Sequence, residues 1–91
     1  MYNKIELKKA LEYQRNGAII IDVRNKSEYN IKHLNGAINI PVDKIIDILD
    51  IIKDKEKKLI LYCQSGKRSY TACKSLISLG YKNVYDLGNF N

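Results

Sequence analysis

Leu59-Ile60-Leu61-Tyr62-Cys63-Gln64-Ser65-Gly66-Lys67-Arg68-Ser69 is the stretch on which the fold turns. Leu59 to Cys63 is a short, unbroken apolar run, the pattern of a strand buried on both faces of a parallel sheet. Gln64 to Lys67 reads as a glycine-containing loop, and Arg68 to about Leu79 as a helix that Gly80 closes. Working outward, Val42, Ile45, Ile46, Leu49 and Ile52 recur at intervals of three and four with charged residues between them, which predicts an amphipathic helix on the sheet. Ala37 to Ile40 is a short strand ended by Pro41, which has no backbone donor to continue a ladder. Ala18 to Val23 is a second buried, β-branched strand. Asn25-Lys26-Ser27 offers turn and N-cap chemistry for a short helical segment around Glu28 to Lys32. The first helix is expected from Lys4 to about Arg15, stopping at Asn16-Gly17, and the last strand from Asn83 to Leu87. Strands alternate with helices throughout, so the expected class is α/β, with a mainly parallel central sheet and helices on both faces.

The chain has 91 residues, 45% hydrophobic and 29% charged. That composition fits a single domain over residues 1–91 with one modest core. Sixteen Lys and Arg against ten Asp and Glu give a net charge of +6. The lysines are interleaved with acids, as in Lys53-Asp54-Lys55-Glu56-Lys57-Lys58, so the charge reads as a solvated face and no nucleic-acid role is expected. An acidic protein or an anionic small substrate is the easier partner to justify. No apolar run is long enough to span a bilayer, and the opening residues lack a secretory pattern, so no membrane association and a cytoplasmic location are expected. In that reducing compartment Cys63 and Cys73 are expected as thiols.

Ligands of open α/β sheets bind beyond the carboxyl ends of the strands, which is where Cys63 falls. The residues after it can curl so that backbone N–H groups converge near the sulfur, with Gly66 allowing positive φ and the following helix adding positive potential. Lys67 and Arg68 beside it favour the thiolate, the reactive form of cysteine. The expected site is therefore catalytic Cys63, exposed at the bottom of a shallow pocket, with Gln64, Ser65, Gly66, Lys67, Arg68 and Ser69 as the substrate-binding loop. Arg68 at a helix start opposes the helix dipole, which favours a binding role over a stabilising one.

Cys63-x-x-Gly66-x-Arg68-Ser69 after a buried strand resembles the active-site loop of rhodanese domains. Asp22-Val23-Arg24 with Glu28-Tyr29, His33-Leu34-x-Gly36-Ala37-Ile38-Asn39-Ile40-Pro41, and Gly80-Tyr81-x-Asn83-Val84-Tyr85 are similar to further blocks of that family, in the same order. The resemblance implies transfer of a sulfane sulfur from a donor, such as thiosulfate or a protein persulfide, to a thiol acceptor through a persulfide on Cys63. No cofactor or metal is expected, and the chain is expected as a monomer or a homodimer. A non-catalytic rhodanese-like binding module and a related phosphatase or arsenate reductase are the alternatives. The present cysteine argues against the first. The loop argues against the second, because those relatives place the arginine one residue further from the cysteine.

The resemblance also gives Asp22 and Arg24 the task of fastening loops and His33 a structural turn, and one histidine with two distant cysteines cannot complete a zinc site. Cys73, Tyr70 and Tyr81 are expected to pack. Two departures stand out: Lys32 replaces a usual glycine, and Gly88-Asn89-Phe90-Asn91 replaces paired glycines and a tryptophan-bearing tail. Something else, a dimer contact included, is then expected to compensate.

Overall fold

The computed structural model describes residues 2–90; Met1 and Asn91, which belong to the opening and closing segments discussed above, lie outside them. Its centre is β4, Lys58–Cys63, in which every residue after Lys58 is buried. β4 lies between β2, Ile19–Asp22, and β5, Asn83–Asn89. β1, Tyr2–Lys4, and β3, Ile38–Asn39, form the edges, giving the order β1-β5-β4-β2-β3 with every pairing parallel.

The period-two alternation of a strand divides β4 between two cores. Leu59, Leu61 and Cys63 join Ile21 and Val84 on one face, beneath Ala72, Cys73 and Leu76 of α4, Lys67–Ser78, and beneath Ile45 and Ile48. Ile60 and Tyr62 join Ile20 on the other face, under Ala10 of α1, Leu7–Arg15, with Tyr29 of α2, Lys26–Ile31, packed against them. Burying one such Leu or Ile contributes about 1.5–3 kcal/mol, so β4 is held chiefly by its two apolar faces. Helices cover both faces of the sheet, as its continuous apolar strands require. Among the described residues no helix is long and apolar enough to cross a membrane.

Three elements differ from the sequence reading. Tyr2–Lys4 is a strand paired with β5, and the first helix starts at Leu7 instead of Lys4. A three-residue edge strand carries too little periodicity to be read; it is fixed by distant partners, among them the Tyr2 hydroxyl donating to Asp86 at 2.6 Å. The expected helix over residues 42–52 is a 3₁₀ stretch, Val42–Asp47, kinked at Lys44 and followed by one α-turn, α3, Ile48–Ile51. A three-residue period aligns Ile45 with Ile48 on the buried side, and Ile46 and Leu49, both expected to pack, are left exposed. Finally, β5 runs on to Asn89 through a bulge: Leu61 lies opposite Asp86 but Tyr62 opposite Gly88, so Leu87 is the extra residue.

α3 is a single turn whose one cap bond runs from the Ile52 N–H to the Ile48 carbonyl at 2.8 Å, so the carbonyl of Ile52 needs a partner from outside the helix. The buried Tyr81 hydroxyl lies 3.1 Å from the carbonyl of Ile48 and also bonds that of Ile52. This gives Tyr81 a polar task beyond packing. Tyr81→Phe is therefore expected to cost about 1–2 kcal/mol, the price of an unpaired buried carbonyl. A thermal melt should show a midpoint lower by roughly 4–15 °C, given the usual sensitivity of a domain this size; an unchanged midpoint would mean that water replaces the hydroxyl.

Candidate active site

Because all five strands run the same way, Asp22, Asn39, Cys63 and Asn89 end β2, β3, β4 and β5 on one edge of the sheet. The chain leaves β4 at Cys63 and turns through Gln64, Ser65 and Gly66 into α4. Gly66 is the N-cap, with φ of +100°, a conformation that L side chains adopt only at a cost. Having no side chain, it cannot bond the free amides of the helix's first turn. The sulfur of Cys63 does so instead: the Gly66 N–H donates to Sγ at 3.0 Å and the Ser69 N–H at 3.2 Å. Ser69 secures the turn from its other side, its Oγ donating to the Gly66 carbonyl at 3.1 Å. Two N–H dipoles and the positive end of a twelve-residue helix thus converge on one sulfur atom.

Cys63 is not exposed at a pocket floor, as the sequence had suggested; it has 0% exposure. The correction has a geometric cause. A sulfur close enough to accept from both amides is enclosed by the turn that carries them, while Gln64 and Ser65 stay exposed above it. Beside this turn lies a groove of about 290 Å³ lined by Arg24, Glu28, Ile31, Lys32, Gln64 and Phe90.

Lys67 opens α4 and is exposed, whereas Arg68 points back across the site. Its Nη1 and Nη2 donate to Glu28 Oε1 at 2.7 Å and Oε2 at 3.1 Å. The Arg68 guanidinium holds the Glu28 carboxyl below the usual carboxylate range, and the Glu28 bond in turn raises Arg68. Sequence reasoning did not include Glu28 in the site. The available signal, Asn25-x-x-Glu28, is a capping box, and the box is indeed formed: Glu28 N–H bonds Asn25 Oδ1, and Asn25 N–H bonds Glu28 Oε1. That local task masked a second partner forty residues away.

Asp22 and Arg24 form a buried pair behind the loop. Arg24 donates from Nη2 to Asp22 Oδ2 at 2.7 Å, from its backbone N–H to Oδ1 at 2.8 Å, and from Nη2 to the Lys32 carbonyl at 2.6 Å. Phe90 covers this guanidinium, its ring centroid 4.8 Å away. Breaking such a pair by removing one partner typically costs about 3–5 kcal/mol. His33 sits apart, Nδ1 donating to the Tyr29 carbonyl at 2.8 Å and the ring stacked on Tyr29. Cys73 is buried in α4, and burial, with the negative fields of Asp86 and Cys63 adding to it, pushes its thiol up. Tyr70 is half exposed and meets Tyr2 edge to face, while Tyr81 is the buried cap of α3.

The turn depends on Gly66 for its backbone. A Cβ there would meet only the Gly88 Cα, at an ordinary 4.0 Å, so strain and not crowding sets the penalty. Gly66→Ala is expected to destabilise by about 1–2 kcal/mol and to loosen the sulfur's bonds. Urea denaturation and the rate of Cys63 alkylation read these two effects; an Ala variant alkylated at the original rate would show that the turn survives without glycine.

Comparison with known proteins agrees with this geometry. The sequence model of the Rhodanese-like domain matches residues 4–89. The chain is 42% identical over 73 residues to the tRNA uridine(34) hydroxylase of Hamiltonella defensa, covering 75% of this chain and 21% of that protein. It is 41% identical over 70 residues to the adenylyltransferase and sulfurtransferase uba4 of Ogataea parapolymorpha, covering 75% and 18%. The matches thus span about a fifth of the length of these curated relatives. Among solved structures, a rhodanese from E. coli with anions superposes with a TM-score of 0.76 at 34% identity, covering 80% of this chain and 87% of that one. The human single-domain sulfurtransferase TSTD1 gives 0.82 at 25% identity, covering 96% and 90%. With a family match over residues 4–89 and structural neighbours of nearly the same extent, the chain belongs to the rhodanese-like domain family.

Proposed function

We propose that this chain moves a sulfane sulfur from a donor, such as thiosulfate or a protein persulfide, to a thiol acceptor, with Cys63 as the carrier. The observation that carries the reading is the pair of amide bonds to Cys63 Sγ at the carboxyl end of the central strand. In the first step the Cys63 thiolate attacks the outer sulfur of thiosulfate. The S–S bond of the donor breaks, its electron pair leaves with sulfite, and Cys63 is left as Cys–S–S⁻. In the second step an acceptor thiolate attacks the terminal sulfur, takes it away as a persulfide, and returns Cys63 to the thiolate.

Both steps need negative charge to be stabilised at or just beyond Sγ, and neither needs a separate general base. Fixed N–H donors aimed at that region, with the end of α4 behind them, supply this stabilisation without reorganising. Gln64, Ser65, Gly66, Lys67, Arg68 and Ser69 form the loop that receives the donor, and Gln64 and Ser65 must yield for it to reach an enclosed sulfur. Cys73, buried and with its thiol pushed up, takes no part. The reaction suits a reducing cytoplasm, where both cysteines stay free. Cys63 to Arg68 is too short a spacing for the wider cradle that a tetrahedral oxyanion requires, which disfavours the phosphatase and arsenate reductase readings.

Intact-mass measurement after incubation with thiosulfate is expected to show one added sulfur atom, lost again on adding cyanide or a thiol. Cys63→Ser should abolish the addition and lower thiosulfate-to-cyanide transfer by more than about a hundredfold, whereas Cys73→Ser should keep most of the activity. Loss of transfer in the Cys73 variant alone would overturn the assignment. Phosphate-ester hydrolysis or arsenate reduction without sulfur uptake would favour the related enzymes, and the absence of all three activities a binding module.

A further inference from the structure

The residues around Cys63 include two arginines, and a carboxylate bonds each of them. Arg24 is held by Asp22 and by the Lys32 carbonyl, and the pair is buried. Arg68, which the loop sequence offers as its anion-binding group, gives Nη1 and Nη2 to the two oxygens of Glu28. The four side chains sum to zero charge, on a protein whose net charge is +6. Meanwhile the groove beside the loop, lined by Arg24, Glu28 and Lys32 as well as Gln64, also offers two apolar side chains, Ile31, 87% exposed, and Phe90. A compact inorganic dianion gains little from these two side chains, and it must compete with Glu28 for Arg68. A sulfur carried on an organic group loses less by the neutralisation and gains apolar contact.

Resting on the sulfur-transfer reading above, we infer that Glu28 sets the charge preference of the site: it occupies Arg68 and thereby favours sulfane sulfur borne on singly charged organic donors over thiosulfate. Glu28 acts through Arg68 and so is a positioning residue. The pair is about one third exposed, with side-chain exposures of 34% and 30%, so it opens at modest cost and thiosulfate is disfavoured without being excluded. Benzenethiosulfonate provides the matched probe. Like thiosulfate it surrenders its outer sulfur to the Cys63 thiolate, the S–S bond breaking with its electron pair on the leaving benzenesulfinate, but it carries one charge and an aromatic ring.

The test compares the two donors at fixed ionic strength in the whole chain and in Glu28→Gln. Gln keeps an Oε1 for the Asn25 N–H, so the capping box survives while the charge goes. The wild-type chain is expected to show the higher kcat/KM with benzenethiosulfonate. E28Q should lower KM for thiosulfate about five- to tenfold, the worth of a freed, partly screened charge. Its kcat should stay within about twofold, and the KM for benzenethiosulfonate should move by less than about twofold. Adding Arg68→Ala should erase the gain. An E28Q protein with unchanged or raised KM for thiosulfate, or with both donors improved alike, would overturn the proposal. Titrating thiosulfate into Cys63→Ser with and without E28Q reads the same preference without chemistry. If Cys63 takes sulfur from neither donor, the sulfur-transfer reading fails, while this titration still decides whether Glu28 withholds Arg68. Should E28Q unfold, Glu28→Asp, which keeps the charge but withdraws it from Arg68, is expected to give a smaller gain in the same titration; no gain would again overturn the proposal.

Discussion

A sulfur atom acting as a helix cap is the interaction on which the rest of this site depends. α4 begins at a glycine that has nothing with which to bond the free amides of its first turn, and Cys63 supplies the acceptor from the end of β4. The strand's direction, the turn's left-handed glycine and the helix's first amides must all be right for those two bonds to exist together. The same bonds that complete the fold therefore also create an electropositive spot at the sulfur proposed as the carrier. They enclose it as well, so Cys63 has no exposed surface of its own.

Electrostatically the surroundings are arranged in layers. Closest to the sulfur are the backbone dipoles of Gly66 and Ser69. Beyond them the two arginines are each matched by a carboxylate, one pair buried and the other partly exposed. Fixed dipoles are thus the positive element in contact with the sulfur, while the arginines' charge is held by carboxylate partners. The buried pair behaves as framework because opening it would strand a charge out of water, whereas the partly exposed pair can exchange partners with solvent and solutes.

How much of this was legible in the sequence follows from the range of the interactions. β4 and β2 were readable because burial on both faces leaves an unbroken apolar run, and α4 because Gly66 and Gly80 punctuate it. The turn after Cys63, including its positive φ at Gly66, was readable for the same local reason. β1 was not, since three residues paired with a strand some eighty positions away have no periodicity of their own. The 42–52 segment misled because Val42, Ile45, Ile46, Leu49 and Ile52 fit an α-helical stripe, while a kink at Lys44 turned the chain onto a three-residue period. Glu28 was read only for its neighbours, and the enclosure of Cys63 could not be inferred from a motif that names the residues but not the radius of their turn.

The outermost strands carry a consequence of another kind. β1 has three residues and β3 only two, so the sheet ends on both sides in an edge too short to template a further strand. Five parallel strands could otherwise invite a second copy to continue the ladder, joining two sheets into one or seeding a fibre. With only three and two residues along the described margins, strand addition there meets little to hold.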